Sequence, residues 1–370
     1  MRMVVVTGAG GFMGRNLVAT LARLPEIAVR TFDIEDSPET LEDHLRQADF
    51  VFHLAGVNRP KDASEYEQGN AGLTQTVIDL LKKHGRQAPL LITSSIQAAL
   101  DNPYGISKKH AEEAVAAYGR ETGAPVFAYR LPNVFGKWSR PNYNSAVATF
   151  CHNIAHDLPI QINNEQAPLT LVYIDDVVEE FLRALAGSPT RQDGFCVVPV
   201  VHQTTVGRLA ALIRSFRESR ETKAVPELAD PFTKKLYSTY LSYLPKDQFS
   251  YPLKMNVDPR GSFTEFLRTP DRGQFSINIS KPGIVKGNHW HHTKVEKFLV
   301  VSGQGVIRFR QIGGTEIVEY RVSGDKLEVV DIPAGYTHSI ANTGSTDMVT
   351  VMWVNEAFDK DRPDTIFEEV

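Results

Sequence analysis

Short apolar runs alternate with amphipathic stretches from residue 1 to about residue 200. The runs MVVVT, AVRTF, DFVFHLA, PLLITSS and VFAYRL have the length and character of buried strands. FMGRNLVATLARL, NAGLTQTVIDLLKKHG and SKKHAEEAVAAYGRETG carry helical spacing, and the last two end on a glycine suited to a helix C-terminus. This strand–helix alternation predicts an α/β domain with a Rossmann-type, doubly wound parallel sheet.

The pattern changes after about residue 220. A proline-punctuated connector with an aromatic helical middle is followed, from Met255 onward, by short β-like runs separated by glycines. FSINIS, EKFLVVSG, GVIRFRQIGG, IVEYRVSG, LEVVDIPAG and MVTVMWVN predict an all-β barrel or jelly roll. We therefore expect a dinucleotide-binding domain over residues 1–248 and a β domain over residues 249–370.

Composition narrows the function classes. The 370 residues carry a formal net charge of −4, which gives no electrostatic footprint for nucleic acid. The two cysteines, Cys151 and Cys196, lack metal or redox spacing, and this favours a reducing compartment. The sequence shows neither a targeting signal nor an apolar run long enough for a membrane span. We expect a soluble cytoplasmic protein without a nucleic-acid or membrane partner.

A glycine-rich loop, VTGAGGFMG, follows the first strand and opens the first helix. Glycines in that context let backbone N–H groups approach a pyrophosphate at the helix N-terminus. Asp33 ends the second strand, where a carboxylate typically binds the ribose 2′-hydroxyl of NAD. Arg15 and Arg30, however, could meet the 2′-phosphate of NADP, so the residues alone leave the choice between NAD(H) and NADP(H) open.

Tyr104 and Lys108 lie four residues apart at the start of a helix and so share one face. A nearby ammonium group should lower the pKa of the phenol and make it a competent proton donor or acceptor. Ser95, with Ser94 as a close competitor, ends the preceding strand at the sheet edge where such folds bind ligands.

These residues, together with HLAG at 53–56, Asn70, RLPNVFG at 130–136 and YIDDV at 173–177, resemble the extended short-chain dehydrogenase/reductase family. The resemblance implies that Tyr104 is the acid/base, Lys108 orients the nicotinamide ribose, and Ser95 holds the substrate oxygen. It implies a sugar-nucleotide contact at Asn133. The cofactor-binding positions would be Thr7, Gly8, Gly11, Phe12, Met13, Gly14, Arg15, Asp33, Leu54, Ala55, Gly56 and Lys108.

One departure from the family pattern bears on the reaction. The dehydratases of this family usually follow the serine or threonine with an Asp-Glu pair, whereas this chain has Ile96 and Gln97. The departure favours reduction of a sugar carbonyl over removal of water. The short interval between Ser95 and Tyr104 also predicts a trimmed loop over the substrate.

The β half contains two spaced motifs, G-x5-H-x-H-x4-E-x6-G from Gly283 and P-x-G-x2-H-x3-N from Pro333. Residues two apart on a strand share a face, so His289 and His291 should project together, with Glu296 and His338 completing the cluster. Three imidazoles and a carboxylate suit a divalent metal such as zinc. The motifs resemble the cupin family, with Leu327 standing in place of the second motif's leading glycine.

Proton transfer without a metal is the alternative interpretation of this cluster. The segment DPRGSFTE, at 258–265, resembles cupin-type epimerases that act on nucleotide-linked 4-keto sugars, generally with a histidine base. In this interpretation Arg260 and Lys286 are candidates for contact with an anionic substrate, whereas His292 should point away from the cluster.

The two halves together resemble the bifunctional capsular-polysaccharide enzymes of the CapF type. That resemblance implies a UDP-linked 4-keto-6-deoxy amino sugar as substrate, NADP(H) as cofactor, cupin-bound zinc and a homodimer. The cupin would epimerise C3 of UDP-2-acetamido-4-keto-6-deoxyhexose, and the first domain would reduce C4 to UDP-2-acetamido-2,6-dideoxy-L-talose, a precursor of UDP-N-acetyl-L-fucosamine for capsule or O-antigen. The alternatives are an NAD-dependent sugar-nucleotide 4-epimerase or other reductase with a regulatory cupin, and a dinucleotide-binding redox sensor.

Overall fold

Val4, Val5 and Val6 are fully buried because their strand is covered on both faces. Val4 and Val6 pack in one hydrophobic cluster with Phe52 and Phe181, whereas Val5 packs in a second cluster on the opposite face. Successive side chains of a strand point to opposite sides, so this division identifies a sheet with a core on each side.

The computed structural model describes residues 1–62, 64–269 and 271–370. They form two units, one of residues 1–214 with 230–245 and one of residues 215–229 with 246–370. The predicted boundary at residue 248 lies close to the division at 245. Residues 215–229 group with the second unit, where the backbone N–H of Val225 donates to the carbonyl of Arg268, and that of Arg268 to Lys223.

The strands of the first unit are β1 (Arg2–Thr7), β2 (Ile27–Phe32), β3 (Phe50–His53), β4 (Leu90–Ser95), β5 (Val126–Leu131), β6 (Asn133–Phe135), β7 (Pro168–Tyr173), β8 (Arg191–Gln192), β9 (Phe195–Cys196) and β10 (His202–Thr205). One sheet has the order β2-β1-β3-β4-β5-β9-β8, and a smaller one the order β10-β7-β6. The five neighbouring strands β2, β1, β3, β4 and β5 pair in parallel, as the sequence predicts.

The helices are α1 (Phe12–Leu21), α2 (Pro38–Arg46), α3 (Ser64–Tyr66), α4 (Leu73–Lys83), α5 (Pro103–Thr122), α6 (Ala146–Ala155), α7 (Ile174–Leu185), α8 (Val206–Thr222) and α9 (Pro231–Leu241). A π-helical turn, Glu67–Gly72, leads into α4, and 3₁₀ turns span Ile96–Ala99 and Lys246–Gln248. Within the described ranges, no helix has both the length and the apolar character that a membrane crossing requires.

The second unit consists of antiparallel strands β11 (Asn256–Asp258), β12 (Gly261–Thr269), β13 (Gly273–Ser280), β14 (Val285–Trp290), β15 (Glu296–Ser302), β16 (Gln304–Gln311), β17 (Ile317–Ser323), β18 (Val329–Ile332), β19 (Tyr336–Asn342), β20 (Met348–Val354) and β21 (Ile366–Phe367). They form sheets of order β11-β12-β13-β20-β15-β18 and β17-β16-β19-β14-β21. Phe298 from the first sheet and Phe309 from the second share one core. The predicted fold class, a Rossmann-type domain followed by a cupin-like jelly roll, is confirmed.

Candidate functional site

The glycine loop is shaped by contacts that exclude side chains. Gly8 has φ +68°, and a Cβ there would lie 2.6 Å from the backbone nitrogen of Ala55. A Cβ on Gly14 would lie 2.1 Å from the carbonyl oxygen of Gly8. Gly11 caps α1, and no side chain in the described part of the chain caps that end. The first N–H groups of α1 are therefore available to an anionic group, as a pyrophosphate requires.

The other predicted cofactor residues of the loop surround this turn. Thr7 is buried and its Oγ1 lies 2.7 Å from Nδ1 of His53, while the N–H of Leu54 donates to the carbonyl of Thr7. Phe12 and Met13 pack against the hydrophobic cluster beneath α1. The ends of β1 and β3 thus meet at the loop, at the point where the strand order reverses, and open α/β sheets bind ligands there.

A cavity of about 420 Å³ beside the loop is lined by Arg15, Asp33, Asp36 and Trp138, among others. The Asp33 carboxylate accepts the N–H of Gly10, and the Arg15 guanidinium lies 5.1 Å from the centre of the Trp138 ring. Arg30 is exposed and does not line this cavity. Trp138, with φ +70°, carries no sequence signal that connects it to the loop.

Helix α5 brings the predicted catalytic residues together at the end of β4. The Tyr104 hydroxyl donates to Oδ1 of Asn58 at 3.1 Å. Lys108 Nζ donates to the carbonyl of Thr93 at 3.1 Å and lies 5.9 Å from the centre of the Tyr104 ring. Sequence reasoning did not predict Asn58, because it lies in a loop without a motif of its own.

The pKa of Tyr104 differs from the sequence-based expectation. Burial of the phenol raises its pKa, and this effect exceeds the lowering by the Ser95 hydroxyl. Lys108 itself is buried, and burial lowers the pKa of its ammonium group to about 8 although Glu112 acts in the opposite direction. The expected lowering of the Tyr104 pKa by Lys108 is therefore wrong for this structure, because burial outweighs every other influence on the phenol.

The two candidate serines occupy different surroundings. Ser95 interacts with Tyr104, and its hydroxyl accepts the N–H of Gln97. Ser94 lines a small interior cavity of about 10 Å³, beside Lys108 and Asn70. This alternation along β4 places Ser95 on the side of the phenol.

Asn70 and Gly56 complete the surroundings of Lys108. A Cβ on Gly56 would lie 2.7 Å from Oδ1 of Asn70 and 3.1 Å from Lys108 Nζ, so this predicted cofactor position is close to the lysine. Asn70 sits in the π-helical turn and donates to the Ser107 hydroxyl at 3.0 Å. Asn133 lies apart from this group in its own strand, exposed at the start of β6.

The second unit contains a cavity of about 250 Å³, and the four predicted metal ligands lie on its wall. His289, His291, Glu296 and His338 each offer an atom within 4.8 Å of the others. His289 and His338 are cross-strand partners on β14 and β19, and Glu296 begins β15. His291 follows the end of β14, beyond a β-bulge between Gly287 and His289.

The electrostatics of this cluster keep the carboxylate ionised and one imidazole neutral. Burial lowers the pKa of His289 to about 4, with His338 adding to the effect. Burial alone would raise the pKa of Glu296, but contacts with His291 and His338 outweigh it and hold the pKa well below its usual range. Burial also acts to lower the pKa of His291, but Glu296 and the Asp364 backbone outweigh it and raise that pKa, so a metal ion would have to displace a proton from His291.

The donor set fits a divalent metal. Nε2 of His338 lies 3.1 Å from Oε2 of Glu296, and Nε2 of His291 lies 3.7 Å from it. Within the part of the chain that the structure describes, none of these buried atoms makes a hydrogen bond. Close, buried donor atoms that lack hydrogen-bond partners are what a metal-binding site is expected to show, and nitrogen donors with one carboxylate suit zinc.

The two predicted anion-binding residues differ in position. Lys286 lines the cavity, and its Nζ donates to Oδ1 of Asn278 at 2.7 Å. Arg260 is exposed and pairs with Asp258 at 2.6 Å instead of lining the cavity. His292 is exposed, as expected, and Leu327 is 63% exposed in the irregular segment before β18.

Comparisons with known proteins connect both units to one class of enzyme. Residues 4–193 match the NAD dependent epimerase/dehydratase family, and residues 256–366 match the polysaccharide biosynthesis C-terminal domain. The chain is 50% identical to a UDP-2-acetamido-2,6-beta-L-arabino-hexul-4-ose reductase of Pseudomonas aeruginosa, over 98% of this chain and 97% of that protein.

Solved structures give the same relationship. A crystal structure of the capsular polysaccharide assembling protein CapF from Staphylococcus aureus shares 55% identity and covers 100% of both chains with a TM-score of 0.95. A UDP-N-acetylglucosamine 4-epimerase from Methanobrevibacter ruminantium shares 20% identity and covers 65% of this chain and 98% of its own with a TM-score of 0.54, which shows a shared fold only.

We predict that the purified protein contains a divalent metal at this cluster, and that His289→Ala and His338→Ala each remove it, because each substitution deletes one of four donors. Metal content of the purified protein measures the effect, and His292→Ala is the control because that imidazole is exposed. Stoichiometric metal in either of the first two variants would show that the ligand set is wrong.

Proposed function

Because this chain belongs to the CapF-type family, whose members join an NAD-dependent epimerase/dehydratase domain to a C-terminal polysaccharide-biosynthesis domain, we propose that it is a bifunctional UDP-sugar enzyme. The first unit reduces the C4 ketone of a UDP-2-acetamido-4-keto-6-deoxyhexose, and the second epimerises C3 of the same sugar. The product is UDP-2-acetamido-2,6-dideoxy-L-talose, a precursor of UDP-N-acetyl-L-fucosamine for capsule or O-antigen.

The observation that carries the reductase proposal is the position of the Tyr104 phenol beside Ser95 and Lys108 at the end of β4. Burial raises the pKa of the phenol, so Tyr104 is protonated at neutral pH. A ketone accepting hydride needs a proton donor at its oxygen, and a protonated phenol supplies it. The name of the Pseudomonas relative, a reductase of a UDP-hexulose, supports the same direction of reaction.

Each residue of the first site has a distinct task in the reduction. NADPH, when bound, supplies the hydride that reaches C4. Ser95 donates a hydrogen bond to the C4 oxygen, Tyr104 transfers its proton to that oxygen, and Lys108 orients the nicotinamide ribose. Asn58 holds the phenol through its amide oxygen, which limits the rotation of the Tyr104 hydroxyl.

The chemistry of the second unit uses the acidity of the C3 hydrogen next to the ketone. A bound divalent metal, with zinc as the best match to the donors, would stabilise negative charge on the substrate oxygen. Lys286, Lys294 and Glu356 also line the cavity and add further titratable groups to it. Removal of the C3 proton on one face and its return on the other inverts the centre without consuming a cofactor.

Arg15 supports the choice of NADPH. Its guanidinium stands in the cavity beside the glycine loop, where the 2′-phosphate of the cofactor would lie, and Trp138 restrains it from the side. The resemblance to the CapF type supports a cytoplasmic homodimer, and the substrate's UDP group would contact Asn133 in the first unit.

A second candidate function rests on the position of Asp33. Its carboxylate lies in the same cavity as Arg15, as expected for binding the 2′-hydroxyl of NAD. An NAD-dependent sugar-nucleotide 4-epimerase with a regulatory cupin would use it, keeping the cofactor bound through each cycle. Net consumption of NADPH with the UDP-4-keto sugar separates the two functions, because a 4-epimerase consumes none.

We predict that Tyr104→Phe lowers kcat for NADPH consumption by about 10²–10⁴-fold, because the variant lacks the proton donor. The Kd for NADPH, measured by fluorescence titration, should change little. Tyr118→Phe is the matched control. Tyr118 is fully buried in the same helix, and its hydroxyl donates a hydrogen bond to the carbonyl of Ala88. Full reductase activity in Tyr104→Phe would remove the catalytic assignment.

We predict that Arg15→Ala raises KM for NADPH at least about tenfold, because a charged hydrogen bond to the 2′-phosphate is lost. KM for NADH should stay near its original value. Arg30→Ala, which removes a cation from outside the cavity, should leave both constants unchanged. Equal effects of Arg15→Ala on the two cofactors would contradict the proposed 2′-phosphate contact.

A further inference from the structure

The last residues of the chain fold back over the metal-ligand cluster. Beyond β20, residues 355–370 form a segment that we term the C-terminal strap. Glu356, Phe358 and Thr365 of the strap line the cavity, and β21 pairs with the end of β14 at His289 and Trp290. The strap therefore lies against the strand that carries the first ligand.

Asp364 of the strap holds the turn that joins β14 to β15. Its carboxylate accepts three consecutive backbone N–H groups, from His292 at 3.0 Å, Thr293 at 2.9 Å and Lys294 at 3.0 Å. These hydrogen bonds, that from Thr293 first, hold the pKa of Asp364 well below its usual range, so the carboxylate is ionised. The turn it holds lies between the ligands His291 and Glu296.

The backbone of Asp364 contacts a predicted ligand directly. Nδ1 of His291 lies 2.6 Å from the carbonyl oxygen of Asp364. A carbonyl oxygen only accepts, so Nδ1 carries a proton, and Nε2, which lies 3.7 Å from Oε2 of Glu296, is the ring nitrogen that could bind a metal. A hydrogen bond of this kind fixes the tautomer and the ring orientation of a metal-binding histidine.

The geometry of Asp364 makes its carboxylate necessary for that contact. Its φ is +39°, a region that residues other than glycine rarely adopt, although aspartate and asparagine enter it most readily. Hydrogen bonds from the turn hold the residue there. Loss of the carboxylate would free the backbone to relax and withdraw its carbonyl from His291.

We propose that Asp364 is a positioning residue for the metal centre. Its carboxylate fixes the β14–β15 turn, and its carbonyl fixes the tautomer of His291. This role rests on the proposed metal site. It assigns the C-terminal strap a task in metal binding that no motif in the sequence indicates.

The test is the affinity of the full-length protein for Zn²⁺, measured by competition with a chromophoric chelator. Asp364→Ala should weaken binding by about 10–100-fold, the usual effect of removing a group that orients a ligand. Asp364→Asn, which suits the same backbone conformation, should lose less. Asp361→Ala is the matched control, because it removes an exposed carboxylate from the same strap and should leave affinity unchanged.

A second readout separates positioning from general stability. With zinc bound, the Nδ1–H proton of His291 should be protected from exchange by the carbonyl of Asp364, and Asp364→Ala should lose that protection. Unchanged zinc affinity in both Asp364 variants would overturn the proposal, provided that His338→Ala loses zinc. If His338→Ala also retains zinc, the metal site itself is wrong and Asp364 has no ligand to position.

Discussion

An ionised side chain that is buried away from water needs a hydrogen-bond or charge partner, and this constraint applies in both units. Lys108 is 8% exposed, and its ammonium group is satisfied by the carbonyl of Thr93 at the end of β4. Glu296 is enclosed by imidazoles from two other parts of the barrel. Lys108 lies in α5 beside the end of β4, and Glu296 is the first residue of β15, so each compensated charge lies next to the end of a strand.

The two chemistries suit one substrate. A 4-ketone acidifies the neighbouring C3 hydrogen and is also the acceptor for hydride, so epimerisation must precede reduction. Reduction then removes the ketone and prevents the C3 centre from inverting again. In the proposed function, the four-residue cluster of the second unit would serve the epimerisation and the Tyr104 phenol of the first unit the reduction. If both proposed activities act on one sugar, their combination gives a product with a single configuration at C3 and C4.

Local patterns predicted the parallel strands, the glycine loop and the two histidine motifs, because each depends on periodicity or on spacing within a short segment. They did not predict the bulge at Gly287 or the positive φ of Asn288, which place His291 beyond the end of its strand. They also missed Asn58 and Asp364, whose partners are 46 and about 70 residues distant along the chain. The raised pKa of Tyr104 depends on burial, and the sequence alone does not specify burial of a residue at a helix start.

The bifunctional assignment is tested most directly by measuring two isotopic labels in one product. The UDP-2-acetamido-4-keto-6-deoxyhexose is converted in D₂O with NADPH deuterated at the transferred position, and the product is analysed by NMR. A bifunctional enzyme should give deuterium at both C3 and C4, with the talo configuration. Deuterium at C4 alone, with the original hydrogen at C3, would show a reductase without epimerisation and contradict the bifunctional assignment.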